Sequence, residues 1–121
     1  MTRQKKLATS SEQTQEAIWK QIAAIPAGRV CSYGRIAELA GKPRGARMVA
    51  RALKQAPAEL ELPWHRVLKA GGVIAAAKVH SGHDEQIARL VAEGVVVAGG
   101  KVDLERFGWM MTIDELIWSE L

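Results

Sequence analysis

Isoleucines at positions 18, 22 and 25 recur at helical spacing, which predicts one buried stripe on a helix from Ser10 to Ile25. Ser10 followed three residues later by Gln13 fits a capping box, and Pro26 and Gly28 end the helix with a turn. Ser32 is the expected N-cap of a short helix through Ala40, with Gly41 placed to terminate it. Pro43 suits an early helical position and predicts a third helix to about Gln55. The second and third helices, joined by Gly41-Lys42-Pro43, have the pattern of a helix-turn-helix unit.

The pattern then changes to short apolar runs punctuated by glycine. His65–Lys69 and Val73–Ala75, joined across Ala70-Gly71-Gly72, predict a small hairpin. Ser81 to Glu93 predicts another helix, with Ile87, Leu90 and Val91 as its apolar contacts and Gly94 as its stop. Val95–Val97 and Lys101–Asp103 flank Gly99-Gly100 as a second hairpin. Phe107, Trp109, Met110 and Met111 precede a short helix from Ile113 to Trp118, and core packing is the expected role of Phe107, Trp109 and Trp118. The expected class is therefore mainly α with small β hairpins. Residues 1–9 are expected to form a flexible basic tail, and residues 10–121 one domain.

The third helix carries a chemical signal. Arg44, Arg47, Arg51 and Lys54 fall within about 80° on one face at the helical 100° per residue. Ala46, Val49, Ala50 and Leu53 take the opposite side. The helix has no Asp or Glu to pair with these cations, so the basic face is available for phosphate.

Composition narrows the class. The chain has 121 residues, 48% hydrophobic and 25% charged, with a formal net charge of +4, and a polyanionic partner fits that balance. No apolar run approaches the roughly 20 residues of a membrane span, and the basic start is not followed by a signal-peptide core, so no membrane partner is expected. The single cysteine, Cys31, excludes an intramolecular disulfide and a zinc-finger cysteine set. A reducing cytoplasm is the expected compartment, nucleoid-associated if the source is prokaryotic. No metal or cofactor is expected.

The sharpest motif is Pro63-Trp64-His65-Arg66-Val67. It resembles the Pro-Cys-His-Arg active-site motif of the O6-alkylguanine-DNA alkyltransferases, with tryptophan at the cysteine's place. Further matches follow in order. Val30-Cys31-Ser32-Tyr33 resembles that family's Val-Ser-Tyr, and Gly41-Lys42-Pro43-Arg44-Gly45-Ala46-Arg47 its Gly-Asn-Pro-x-Ala-Ala-Arg. Pro57 stands at the family's distance before the motif, and Ala92-Glu93-Gly94 resembles its His-Glu-Gly. The resemblance runs from about Glu16 to Gly94. A thiolate removes an alkyl group by nucleophilic attack, whereas an indole offers only an N–H donor. The chain thus looks like an alkyltransferase-like protein, one that holds the lesion without repairing it.

That resemblance implies a winged helix-turn-helix-like alkyltransferase C-terminal domain, without the N-terminal domain of many transferases. It implies a monomer that binds O6-alkylguanine in double-stranded DNA through the minor groove and flags it to nucleotide excision repair proteins. Arg47 would fill the space of an extruded nucleotide, and Tyr33 would contact the target phosphate and flipped base. Gly45 and Ala46 would let the helix approach closely, with Ser32, Arg44, Arg51 and Lys54 as further DNA contacts. The base pocket would be built from Tyr33, Pro63, Trp64, His65, Arg66, Val73, Lys78 and Ser81. Within it, Trp64 would supply an apolar wall and Lys78 a charge. His65 and Glu93 would retain hydrogen-bonding roles, and Arg66 would tie down the loop.

Three departures stand out. Ala56 replaces the asparagine before Pro57, Ala77 falls near the lesion-loop tyrosine and suggests a roomier pocket, and the glutamate helix lies two residues further from the motif. Two other functions compete with this reading. An active transferase would have to use Cys31, and a helix-turn-helix regulator would read the major groove, commonly as a dimer.

Overall fold

The computed structural model describes residues 10–74 and 82–120. Three helices come first: α1 (Ser10–Ala23), α2 (Tyr33–Leu39) and α3 (Ala46–Lys54). Before α2 lies the two-residue strand β1 (Cys31–Ser32), which pairs in parallel with β2 (Val67–Leu68), Cys31 opposite Val67 and Ser32 opposite Leu68. Helix α4 (His83–Ala92) is followed by the antiparallel pair β3 (Val97–Ala98) and β4 (Lys101–Val102), then α5 (Leu104–Phe107) and α6 (Ile113–Glu120). Single-turn 3-10 helices cover Ala58–Leu60, Trp64–Arg66 and Ala70–Gly72. The architecture is mainly helical with two small sheets.

Two apolar clusters fill the interior. Ile18, Ile22 and Ile25 join Ile36, Ala37, Val49 and Ala52 beneath α1–α3. Val30, Leu68, Ile74, Leu90, Val95, Val102, Leu104 and Phe107 form the second. The β1–β2 pair is the seam. Cys31 and Val67 point into the first cluster, Val30 and Leu68 into the second, as alternation along extended backbone requires. Each such isoleucine or leucine contributes about 1.5–3 kcal/mol on burial. Trp19 adds a polar tie, its indole Nε1 donating to the Ala52 carbonyl at 2.8 Å.

Local chemistry shifts several expected boundaries. Ser32 caps α2, its Oγ accepting from the Arg35 amide at 3.0 Å. Helix α3 begins at Ala46 rather than Pro43, because Arg44 takes a left-handed backbone (φ 66°) and breaks the helical run. Gly45 is forced by space, since a Cβ there would meet the Lys42 carbonyl oxygen at 2.7 Å. The four-cation face therefore reduces to Arg47, Arg51 and Lys54 on the helix, with Arg44 in the turn before it. Val49 and Ala52 are the buried residues of α3, while Ala46, Ala50 and Leu53 are only partly covered.

The first expected hairpin is also replaced. Residues 64–66 form a 3-10 turn and Val67–Leu68 pairs with β1, leaving only a Lys69–Val73 bridge across the glycines. On α4, Val91 is 57% exposed, and Gln86 takes the inward position instead. The Gly99-Gly100 hairpin forms as expected. Phe107 is buried and Trp109 packs against the first cluster, whereas the Trp118 side chain lies outside the described residues.

Candidate nucleic-acid interface

A groove of about 670 Å³ opens between α3 and the start of α4. Arg47, Ala50, Leu53 and Lys54 come from α3, Ser32 and Tyr33 from the α2 entrance, Trp64 from its 3-10 turn, and His83 and Gln86 from α4. Among its described lining residues are the cations Arg47, Lys54 and Lys69 but no Asp or Glu. Alanines at 46 and 50 keep the α3 wall low, so a large planar group can enter beside the Arg47 side chain. Burial raises the Tyr33 hydroxyl above its usual pKa, so it remains a neutral hydrogen-bonding group.

The turn carrying Trp64 is held by one face of α4. Gly82 lies against the six-membered ring, where a Cβ would stand 3.6 Å from Cη2. The buried Gln86 donates through Nε2 to the carbonyls of His65 and Val67, both at 3.2 Å. Arg89 sets its guanidinium carbon 5.6 Å from the Trp64 ring centroid. At the helix end Glu93 receives His65 Nε2 at 2.9 Å, Arg66 at 2.6–3.2 Å and the Gly28 amide at 3.1 Å. These four positions, 82, 86, 89 and 93, are four, three and four apart, the spacing of a single helical face.

The Glu93 carboxyl is held at about pKa 2, well below its ordinary 4.5, first by the Arg66 hydrogen bonds, then by His65 and the Gly28 amide, against an opposing effect of burial. Arg66 also donates to the Ile25 carbonyl at 2.8 Å, tying the turn to the end of the first helical segment. His65 is buried, and its Nδ1 has no hydrogen-bond partner among the described residues.

Ser32, Tyr33, Ala46, Arg47, Lys54 and Trp64 thus converge on one groove. Pro63, His65, Arg66 and Val73 do not line it. His65 and Arg66 turn instead to Glu93, beneath the groove's Trp64 wall. Arg44 and Gly45 lie in the turn ahead of α3, and Arg51 faces a separate hollow between α1 and α3 with Ser10, Thr14 and Gln55. Lys78, Ser81 and Ala77 lie outside the described residues. Sequence reasoning missed Leu53, Lys69, His83, Gln86 and Arg89. The four-three-four spacing in α4 was the available signal, but polar residues on a helix otherwise read as a solvated face. Cys31 is fully buried in the first apolar cluster. Among the described residues no three His, Cys, Asp or Glu side chains converge as a metal site would require.

Comparison with known proteins gives consistent results. The family model for the DNA-binding domain of 6-O-methylguanine DNA methyltransferase matches residues 13–95. The chain is 46% identical over 97 residues to the DNA base-flipping protein of Escherichia coli K12, across 78% of this chain and 72% of that protein. It is 38% identical over 80 residues to Alkyltransferase-like protein 1 of Schizosaccharomyces pombe, across 66% and 74% respectively. Its fold is similar to that of S. pombe Atl1 crystallised with damaged DNA containing O6-carboxymethylguanine. The TM-score is 0.73 at 32% identity, over 82% of this chain and 96% of that one.

Proposed function

The chain belongs to the 6-O-methylguanine DNA methyltransferase family through its DNA-binding domain, on the alkyltransferase-like side of that family, and from this premise we propose that it recognises alkylated guanine in duplex DNA without repairing it. One observation carries the reading. The groove puts Arg47, Tyr33 and Trp64 around a space open to a base, while the only thiol of the chain, Cys31, is sealed in the core. The names of the relatives, a base-flipping protein and an alkyltransferase-like protein solved with damaged DNA, support it.

In this mechanism α3 enters the minor groove and Arg47 takes the place of the extruded nucleotide. Extrusion costs a few kcal/mol of stacking and pairing, least for a damaged base. The flipped base then meets the Trp64 indole, and such base–aromatic contacts contribute about 1–3 kcal/mol. The degenerate minor-groove code gives little sequence preference, which suits a protein that scans for damage. Lys54 and Lys69 at the groove, with Arg51 one turn along α3, supply phosphate contacts. Tyr33 and Ser32 stand at the α2 entrance where the target strand turns. The protein acts as a monomer in the cytoplasm and passes the marked site to nucleotide excision repair proteins.

The test is a binding titration of O6-methylguanine and unmodified duplexes, followed by mass spectrometry of the protein. Tighter binding to the lesion with no alkyl group on the chain is expected. Equal affinity for both duplexes, or stoichiometric alkylation of the chain, overturns the reading.

A further inference from the structure

Trp64 is held from outside the groove as well as lining it. Arg89, on α4, does not line the groove, yet its guanidinium lies over the indole at 5.6 Å from the ring centroid. Arg89 is itself fixed by Glu85 one turn earlier, through Nε at 2.9 Å and Nη2 at 2.6 Å. A solvated arginine on a helix has many rotamers. This one is drawn to the ring by its quadrupole and anchored by a carboxylate, so Glu85, Arg89 and Trp64 form a chain from the surface of α4 to the groove wall.

We infer that Arg89 is a positioning residue for base discrimination. By covering the indole from outside the groove, it fixes the ring in the one orientation that stacks on an inserted base. The cation also draws electron density from the ring, which favours stacking on an electron-rich purine. The ring's outer edge lies against Gly82 at the start of α4, where even a Cβ would make only ordinary van der Waals contact with it. The helix face that carries the Trp64 turn thereby also tunes its aromatic surface. Arg89 contacts neither phosphate nor base in this role, so its effect appears only in the preference for damaged over intact DNA.

This inference rests on the lesion-binding reading, and the experiment separates the two. Affinities for O6-methylguanine and unmodified duplexes are measured for the unaltered protein and for Arg89→Met, Arg89→Lys and Glu85→Gln, with thermal midpoints as folding controls. A surface cation–π contact implies that Arg89→Met lowers the lesion preference by about 2- to 5-fold, leaving affinity for the intact duplex unchanged. Arg89→Lys retains most of the preference and Glu85→Gln loses part of it. A preference unchanged in Arg89→Met overturns the inference while leaving lesion binding intact. A parallel loss on both duplexes with a shallower salt dependence overturns it too, identifying Arg89 as a phosphate contact. Absence of any preference in the unaltered protein overturns the functional reading itself, and this inference with it.

Discussion

Arg66 grips Glu93 with two guanidinium nitrogens, Nε at 3.0 Å from Oε1 and Nη2 at 2.6 Å from Oε2, so the turn that carries Trp64 is fastened to the end of α4 by a forked ion pair. Both side chains are largely shielded, and the same carboxylate holds His65 and the Gly28 amide. Three chain segments therefore meet at one charged group.

The pH dependence follows from the depressed Glu93 carboxyl. The unfolded chain takes up its proton near 4.5, the folded chain only near 2. The stabilisation is thus complete above about pH 4.5 and is lost as pH falls towards 2. Glu93→Gln is expected to cost about 1–3 kcal/mol at neutral pH. Thermal melts of the two proteins should converge as pH approaches 2. A gap that persists unchanged at low pH contradicts this assignment.

Arg47→Ala is expected to weaken binding to the lesion duplex by about 10-fold or more, since it removes the side chain that fills the extrusion site. Arg51→Ala should act differently. It faces a hollow away from the groove, so it should weaken both duplexes alike and lower the slope of log affinity against log salt by about 1. Titrations at three salt concentrations distinguish the two behaviours.

Gly72 has φ 82°, and a Cβ there would lie 2.2 Å from the Val102 carbonyl oxygen. Gly72→Ala combines a left-handed backbone with overpacking against β4 and is expected to cost roughly 2–5 kcal/mol. Denaturant unfolding measures it directly. Gly71, also at positive φ but with open space around its Cβ position, should lose less on the same change.

Cys31→Ala tests the competing transferase. The thiol is fully buried, so the substitution should lower stability modestly by leaving a small void while the lesion preference survives. Loss of all DNA discrimination in a folded Cys31→Ala protein would speak for a role of that sulphur.

The helices were legible because their signals are local. The isoleucine stripe of α1, the Ser32 cap and the Gly99-Gly100 hairpin depend on neighbours within a few residues. The α3 start was misplaced because Pro43 suits a first helical turn in isolation, while the left-handed Arg44 and the tight Gly45 contact with Lys42 are set by packing of the turn. The parallel pairing of β1 with β2 joins residues 36 apart and left no short-range trace, so Val67–Leu68 read as half of a hairpin. The groove residues recognised in advance were Ser32, Tyr33, Ala46, Arg47 and Trp64, carried by motifs, and Lys54, carried by the basic helix face. The supporting face of α4 was invisible because Gln86 and Arg89 acquire meaning only from the turn they touch.

That two-residue β1–β2 ladder has a consequence for how such a groove can diversify. Ser32 begins the Tyr33 wall and Leu68 follows the Trp64 wall, and the two stand opposite each other in main-chain register. The spacing of these two lining residues is therefore set by backbone pairing, close to the roughly 4.8 Å that separates paired strands. The same frame can thus accept a reactive thiol or an inert ring at position 64, and a change from chemistry to recognition needs no rebuilding of the scaffold.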